Sequence, residues 1–274
     1  MNCNGKILSL EKPVVMGILN ITADSFYDGG KFSSDKSALE QVSKMLEEGA
    51  SIIDIGASSS KPGSVAIDEK EEIQKIENIL KLLVKEFPTS IFSVDTFRAS
   101  VAETALANGA GIINDISGGE MDARMFPFIA KEKVPYIMMH MQNTPKTMQD
   151  APQYKNVVSE VFEYFEQRLN QLKSLGASDI IIDLGFGFGK TMEHNYSLLK
   201  NLSLFKKFEL PILAGLSRKS MINKPLNISP KQALNGTTVL NTLALMNGAN
   251  ILRVHDVKEA MEAIKLVEYY NLPS

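Results

Sequence analysis

Eight short apolar runs rich in Ile and Val recur along the chain, separated by longer stretches with helical patterning. The runs span 14–20, 51–56, 91–95, 111–116, 135–140, 180–184, 211–216 and 251–255. A run that is apolar at nearly every position suits a strand buried on both faces, as in a parallel sheet. The stretches between them predict helices over 34–48, 68–87, 99–108, 154–175, 230–247 and 256–270. Several stop at a Gly or Pro, residues that end helices: Gly49, Pro88, Gly109, Gly176 and Gly248. A strand–helix unit repeated to about eight implies a parallel sheet, and right-handed crossovers put the helices outside. The same periodicity fits a doubly wound open sheet. The unit count and the 274 residues favour a (β/α)₈ TIM barrel, which typically takes about 250 residues. No Pro- or Ser-rich linker interrupts the chain, so residues 1–274 are read as one barrel domain.

The totals narrow the function class. A net charge of −3 gives no strong field toward nucleic acid or an anionic membrane. No apolar run reaches the roughly 20 residues that span a bilayer, and the first residues lack the apolar core of a signal peptide. The lone Cys3 cannot form an internal disulfide. It reads as an inert thiol near a mobile terminus in a reducing compartment, so a cytoplasmic location is expected. Arg is scarce, at positions 98, 124, 168, 218 and 253 only. Because Arg is the better fork for carboxylate or phosphate, each one is informative.

In a barrel of this kind the active site lies at the C-terminal ends of the strands. Polar residues gather at those ends: Asn20, then Ser58-Ser59-Ser60-Lys61-Pro62-Gly63, Asp95-Thr96, Asn114-Asp115, His140, Asp183, Ser217-Arg218-Lys219-Ser220, and Arg253-Val254-His255-Asp256. Any one of these acids could be a satisfied structural group; the recurrence on nearly every strand points to a site. Hydroxyls and a cation beside Pro62 suit an anionic substrate, although alone they would read as an exposed loop. The run Gly185-Phe186-Gly187-Phe188-Gly189-Lys190-Thr191 has the wrong spacing for a Walker A loop or a dinucleotide fingerprint. The three His residues give no zinc-type spacing, and no Gly-x-Ser-x-Gly elbow supports a hydrolase.

Several segments, in order, resemble the dihydropteroate synthase family. They are Gly17-Ile18-Leu19-Asn20-Ile21-Thr22, Asp24-Ser25-Phe26, Ser93-Val94-Asp95-Thr96, Asn114-Asp115-Ile116-Ser117-Gly118-Gly119, Gly187-Phe188-Gly189-Lys190-Thr191 and Ser217-Arg218-Lys219-Ser220. The resemblance runs from about Pro13 to Val257. It implies a transferase that condenses 6-hydroxymethyl-7,8-dihydropterin diphosphate with 4-aminobenzoate, releasing diphosphate and 7,8-dihydropteroate, with Mg²⁺ assisting. It also implies small-molecule partners only and a homodimer, for which 243–246 or 261–267 could serve.

By the same resemblance, Asp95, Asn114 and Asp183 would bind the pterin, with Met139 lining the pocket. A pterin edge presents amine and ring N–H donors, which carboxylates and an amide oxygen accept. Lys219 would bridge the pterin and the incoming ring. Ser60 would contact the pterin diphosphate, which Arg253 and His255 would grip, with Asn20 holding Mg²⁺ nearby. Ser220 at a helix start would take the carboxylate of 4-aminobenzoate, Lys61 would add loop charge, and Pro62 and Phe188 would flank the ring. The implied mechanism is dissociative, with Asp95, Asp183 and Lys219 as its catalytic residues and the first two loops closing over the site.

The chain departs from the family at Ala23, at 57–61, and at Leu184 and Phe186. Two other readings are a folate–corrinoid methyltransferase sharing the pterin contacts, and a pterin-binding homologue without turnover.

Overall fold

The computed structural model describes residues 1–21, 31–57, 67–144 and 152–272; side chains in the second span are described from residue 35. Its centre is a closed barrel of eight parallel strands, the expected fold. Two short antiparallel strands come first, β1 (Asn2–Cys3) and β2 (Lys6–Ile7). The barrel strands are β3 (Val14–Asn20), β4 (Ile52–Gly56), β5 (Ile91–Asp95), β6 (Ile112–Asp115), β7 (Tyr136–Met139), β8 (Ile180–Asp183), β9 (Ile212–Ala214) and β10 (Ile251–Val254). Each pairs with its chain neighbour, and β10 closes on β3 with Ile251 opposite Val14. All eight apolar runs therefore became strands.

Alternate residues of each strand face opposite sides, which sorts the core into two parts. Inside, Met16, Ile52, Ile91, Ile112, Ile137, Ile181, Leu213 and Ile251 pack as one cluster, one residue from each strand. Cys3 and Leu8 join it from the β1–β2 hairpin and plug that end. Here the expectation fails: Cys3 is buried rather than on a mobile terminus. The hairpin is tied down by Lys6 Nζ donating to Ser90 O at 2.5 Å and the N-terminal ammonium donating to Leu8 O at 3.0 Å. Burial raises the Cys3 thiol to about 11, against the pull of the nearby N-terminus. A thiol held protonated is unreactive, as read.

Outside, the other strand faces bury Val15, Ile53, Ile55, Phe92, Val94, Ile113, Tyr136, Met138 and Ile182 under the helices. These are α1 (Lys31–Glu47), α2 (Glu69–Glu86), α3 (Ala99–Ala107), α4 (Met125–Glu132), α5 (Val157–Ser174), α6 (Met192–Lys200), α7 (Ser220–Leu226), α8 (Leu234–Met246) and α9 (Val257–Tyr270). The pattern of α5 shows why the sequence is helical there: Val157, Val161, Phe165, Leu169 and Leu172 recur at spacings of three and four and are the buried residues. It starts three residues later than expected because Asn156 caps it, accepting from Val158 and Ser159 N–H at 3.1 Å. The stretch 230–247 divides into a 3₁₀ turn (Pro230–Gln232) and α8. The short helices α4 and α6 were not foreseen, because eight and nine residues give too few turns for a clear apolar stripe, whereas α7 begins at Ser220, where a helix start was expected.

Candidate active site

The strand register places a second ring of side chains above the apolar plug. Going two residues on from the plug positions gives Ile18, Asp54, Ser93, Asn114, Met139, Asp183, Gly215 and Arg253, all on the inward face. One further step up β5 reaches Asp95. The barrel interior thus changes from wholly apolar to mainly polar within one layer, at the C-terminal end of the strands.

Asp54 is 0% exposed and its Oδ2 accepts from two groups, Arg253 Nε at 2.7 Å and Asn114 Nδ2 at 3.0 Å. Arg253 Nη2 also donates to Asp95 Oδ2 at 3.0 Å. Asp183 Oδ1 accepts from Gly185 N–H at 2.8 Å. Lys219, at the N-cap of α7, donates Nζ to Phe186 O at 2.5 Å and lies 4.9 Å over the Phe188 ring. Phe188 belongs to an apolar patch with Ile116, Met139, Met141 and Phe97. Asp95, Asn114, Met139, Asp183, Phe188, Lys219 and Arg253 therefore come together at one mouth.

Burial dominates the electrostatics, since a charge out of water is costly. It raises the Asp95 carboxyl to about 7, with Arg253 opposing and Asp54 adding to the rise. It raises Asp183 as well, with Lys219 opposing. It lowers the Lys219 amine to about 8 while Asp183 resists. Burial also works against the Arg253 charge, but Asp54 and Asp95 outweigh it and hold that guanidinium above its ordinary value.

Asn20, His255 and Ser220 stand at strand or helix ends. Asn20 ends β3 with its side chain exposed. His255 is exposed just beyond β10, its Nδ1 3.0 Å from Ser217 Oγ. Ser220 opens α7 and is exposed. Ser60, Lys61 and Pro62 lie outside the described residues. Arg218, part of the same motif as Lys219, turns away: it clamps Asp256 with bonds of 2.9 and 2.6 Å and donates to Pro230 and Lys231 carbonyls. Asp115 faces outward, accepting from Ser117 N–H and Oγ, Gly119 N–H and Tyr136 Oη at 2.7–2.9 Å. The Asn114-Asp115 pair thus divides into one residue at the site and one that shapes the following turn.

Two groups were missed by sequence reading. Asp54 was visible as a strand-end acid, and the inward alternation Ile52, Asp54, Gly56 would have pointed it at the site. Lys190 is buried and holds the Gly-rich turn shut. Its Nζ lies 2.9 Å from His140 Nδ1 and donates to the carbonyls of His140, Gly185 and Phe188 at 3.0–3.2 Å. Burial lowers it to about 7. The glycine spacing has a steric cause: Gly185 has φ +67°, and a Cβ there would stand 1.9 Å from His140 O.

Among the described residues no group of three or more His, Cys, Asp or Glu could hold a metal ion. The donor on offer is the exposed amide of Asn20. That fits Mg²⁺ carried by a phosphorylated substrate, because this ion keeps most of its waters and takes few protein ligands.

Known proteins share both sequence and shape. The pterin binding enzyme family model matches residues 16–255. Dihydropteroate synthase of Escherichia coli K12 is 43% identical over 270 residues, covering 96% of this chain and 94% of its own. The Haemophilus influenzae enzyme is also 43% identical over 265 residues, 96% of each chain. The crystal structure of the Yersinia pestis dihydropteroate synthase with a sulfonamide drug complex superposes with TM-score 0.92 at 40% identity, over 98% of both chains. Xanthomonas albilineans dihydropteroate synthase with 4-aminobenzoic acid gives 0.91 at 36% identity, over 99% of this chain and 98% of that one. With its fold, its polar barrel mouth and these full-length relatives, the chain belongs to the dihydropteroate synthases, a family of pterin-binding transferases.

Proposed function

We propose that this enzyme joins 6-hydroxymethyl-7,8-dihydropterin diphosphate to 4-aminobenzoate, forming 7,8-dihydropteroate and diphosphate in folate biosynthesis. The observation that carries the reading is the barrel mouth at which the acceptors of Asp95, Asn114 and Asp183 stand beside the cations Lys219 and Arg253. Acceptors on three strands suit the donor edge of a dihydropterin. The relatives support both ligands: one Xanthomonas albilineans structure holds 4-aminobenzoic acid and another 7,8-dihydropteroate.

In the reaction the C–O bond between the pterin methylene and diphosphate breaks, its electron pair leaving on oxygen. The amine nitrogen of 4-aminobenzoate then donates its pair to that carbon, and the surplus N–H proton is lost. Asp95 and Asp183 accept pterin N–H groups and, when ionised, stabilise positive charge spreading into the ring. Lys219, packed over Phe188, lies between the pterin and the incoming ring. Arg253 already neutralises Asp54 and Asp95, so it and His255 meet the diphosphate from the β10 side. Asn20 would hold Mg²⁺, which would further neutralise the leaving charge. Ser220 takes the aminobenzoate carboxylate, whose ring lies against Phe188; the contacts expected from Ser60, Lys61 and Pro62 fall outside the described residues.

The same reading makes the enzyme a cytoplasmic homodimer. An isolated thiol suits a reducing compartment. The described helices include none long and apolar enough to cross a membrane. Val239, Leu243 and Met246 on α8 and Leu266, Tyr269 and Tyr270 on α9 are exposed apolar or aromatic residues, a surface of the kind partners cover. Within 261–267, Ile264 and Val267 are instead buried in the core, which moves the expected contact toward the end of α9.

The test is direct. Supplied with the pterin diphosphate, 4-aminobenzoate and Mg²⁺, the protein should release diphosphate and form dihydropteroate in equal amounts. Pterin binding with no diphosphate release would sink the reading, and methyl transfer from a folate to a corrinoid would replace it.

A further inference from the structure

Asn114 has two faces. Its amide can offer a ligand either an oxygen that accepts or an NH₂ that donates, and nothing about Asn itself decides which. The neighbouring strands decide it. Asp54 on β4 and Asn114 on β6 flank β5 and share one inward layer, and Asp54 Oδ2 lies 3.0 Å from Asn114 Nδ2. A carboxylate paired with Arg253 has only acceptors to offer, so it takes the NH₂ and turns the amide oxygen away from itself. The same Oδ2 takes Arg253 Nε at 2.7 Å, and Arg253 in turn takes Asp95. One fully buried atom, out of reach of any ligand at the mouth, thus anchors two of the groups that line the site.

We propose that Asp54 is a specificity-determining positioning residue: it fixes Asn114 as an acceptor, so that the pocket selects ligands with a donor edge. The inference rests on the pterin reading above and deepens it. Asn114 Oδ1 then joins the Asp95 and Asp183 carboxyl oxygens in facing the ligand, and a ligand with a carbonyl where a pterin has its amino group meets oxygen against oxygen. The outcome does not depend on the negative charge of Asp54. An Asn at 54 can set its oxygen where Oδ2 is. Its NH₂ then replaces Oδ1, which has no hydrogen-bond partner among the described residues. The register neighbour of Asp54 on β5 is Ser93, whose Oγ is likewise unpartnered and could accept from that NH₂.

The experiment measures equilibrium binding of a 7,8-dihydropterin and of its lumazine counterpart, in which the 2-amino group is replaced by an oxo group. It uses wild type, Asp54→Asn and Asp54→Leu, with thermal melting alongside. Wild type should prefer the amino ligand by tenfold or more; equal binding would sink the pterin reading itself, before any variant is considered. Asp54→Asn should keep the preference within threefold of wild type. Asp54→Leu should lose most of it, chiefly by weaker binding of the amino ligand. Asp54→Leu with the wild-type ratio overturns the proposal, as does a loss of equal size in both variants. Should Asp54→Leu be insoluble, Asp54→Ser, whose hydroxyl is too short to reach Asn114, removes the same acceptor and its ratio decides.

Discussion

Asp95 and Lys219 sit in one buried cluster, with the first raised to about 7 and the second lowered to about 8. If catalysis needs Asp95 ionised and Lys219 protonated, kcat/KM should rise with pH through about 7 and fall above about 8. The two limbs belong to the coupled cluster rather than to isolated groups. Asp95→Asn should flatten the acid limb and Lys219→Met the alkaline limb; a profile with both limbs intact in either variant would remove that residue from its role. Stability gives an independent check. The folded pKa of Asp95 lies above its unfolded value of 3.8, so its contribution is full below about 3.8 and is lost as pH rises toward 7. Asp95→Asn should therefore gain stability relative to wild type between pH 4 and pH 8, read from urea midpoints at several pH values. The same substitution should weaken pterin binding at least tenfold while leaving turnover measurable, because Arg253 would take the amide oxygen and turn its N–H toward pterin donors.

At the scale of elements, the 185–190 turn carries the most chemistry for its length. It links the end of β8 to α6 and supplies the Asp183 partner, the Phe186 carbonyl and the Phe188 ring. Gly185→Ala should lower kcat/KM by a hundredfold or more, because its Cβ would meet backbone at 1.9 Å. Gly176→Ala is the control: φ is also left-handed at +96° but nothing lies within 4 Å, so it should cost only about 1 kcal/mol and leave kcat/KM unchanged. At the start of α5, Asn156→Ala removes two cap bonds and should cost about 1 kcal/mol in chemical denaturation. The glycine spacing of the turn was legible in the sequence. Its purpose was not, since it depends on the carbonyl of His140, 45 residues earlier (185 − 140), and on the burial of Lys190 against that carbonyl, which the motif alone does not reveal.

The whole molecule separates stability from chemistry along the barrel axis. Leu8 and Cys3 plug one end, and the polar mouth occupies the other. Leu8→Ala should cost about 2–4 kcal/mol of unfolding free energy with KM for both substrates unchanged. A shifted KM would mean that the plug and the mouth are coupled through the barrel.

The sequence by itself determined eight parallel strands, because strands buried on both faces must be apolar at nearly every position, and that composition is visible without coordinates; length and unit count favoured a barrel over an open sheet, and the structure closed the ring. It also determined which strand ends carry polar groups. Only the tertiary structure decided which way each of those groups points. Asp115 and Arg218 turned to structural duties while Asn114 and Lys219, one residue away in each case, turned inward, since a single step along a strand or its following turn reverses the face presented. Closure of β10 on β3 brought Arg253 to Asp54, 199 residues apart, and no local pattern encodes a contact that exists only once the ring has closed.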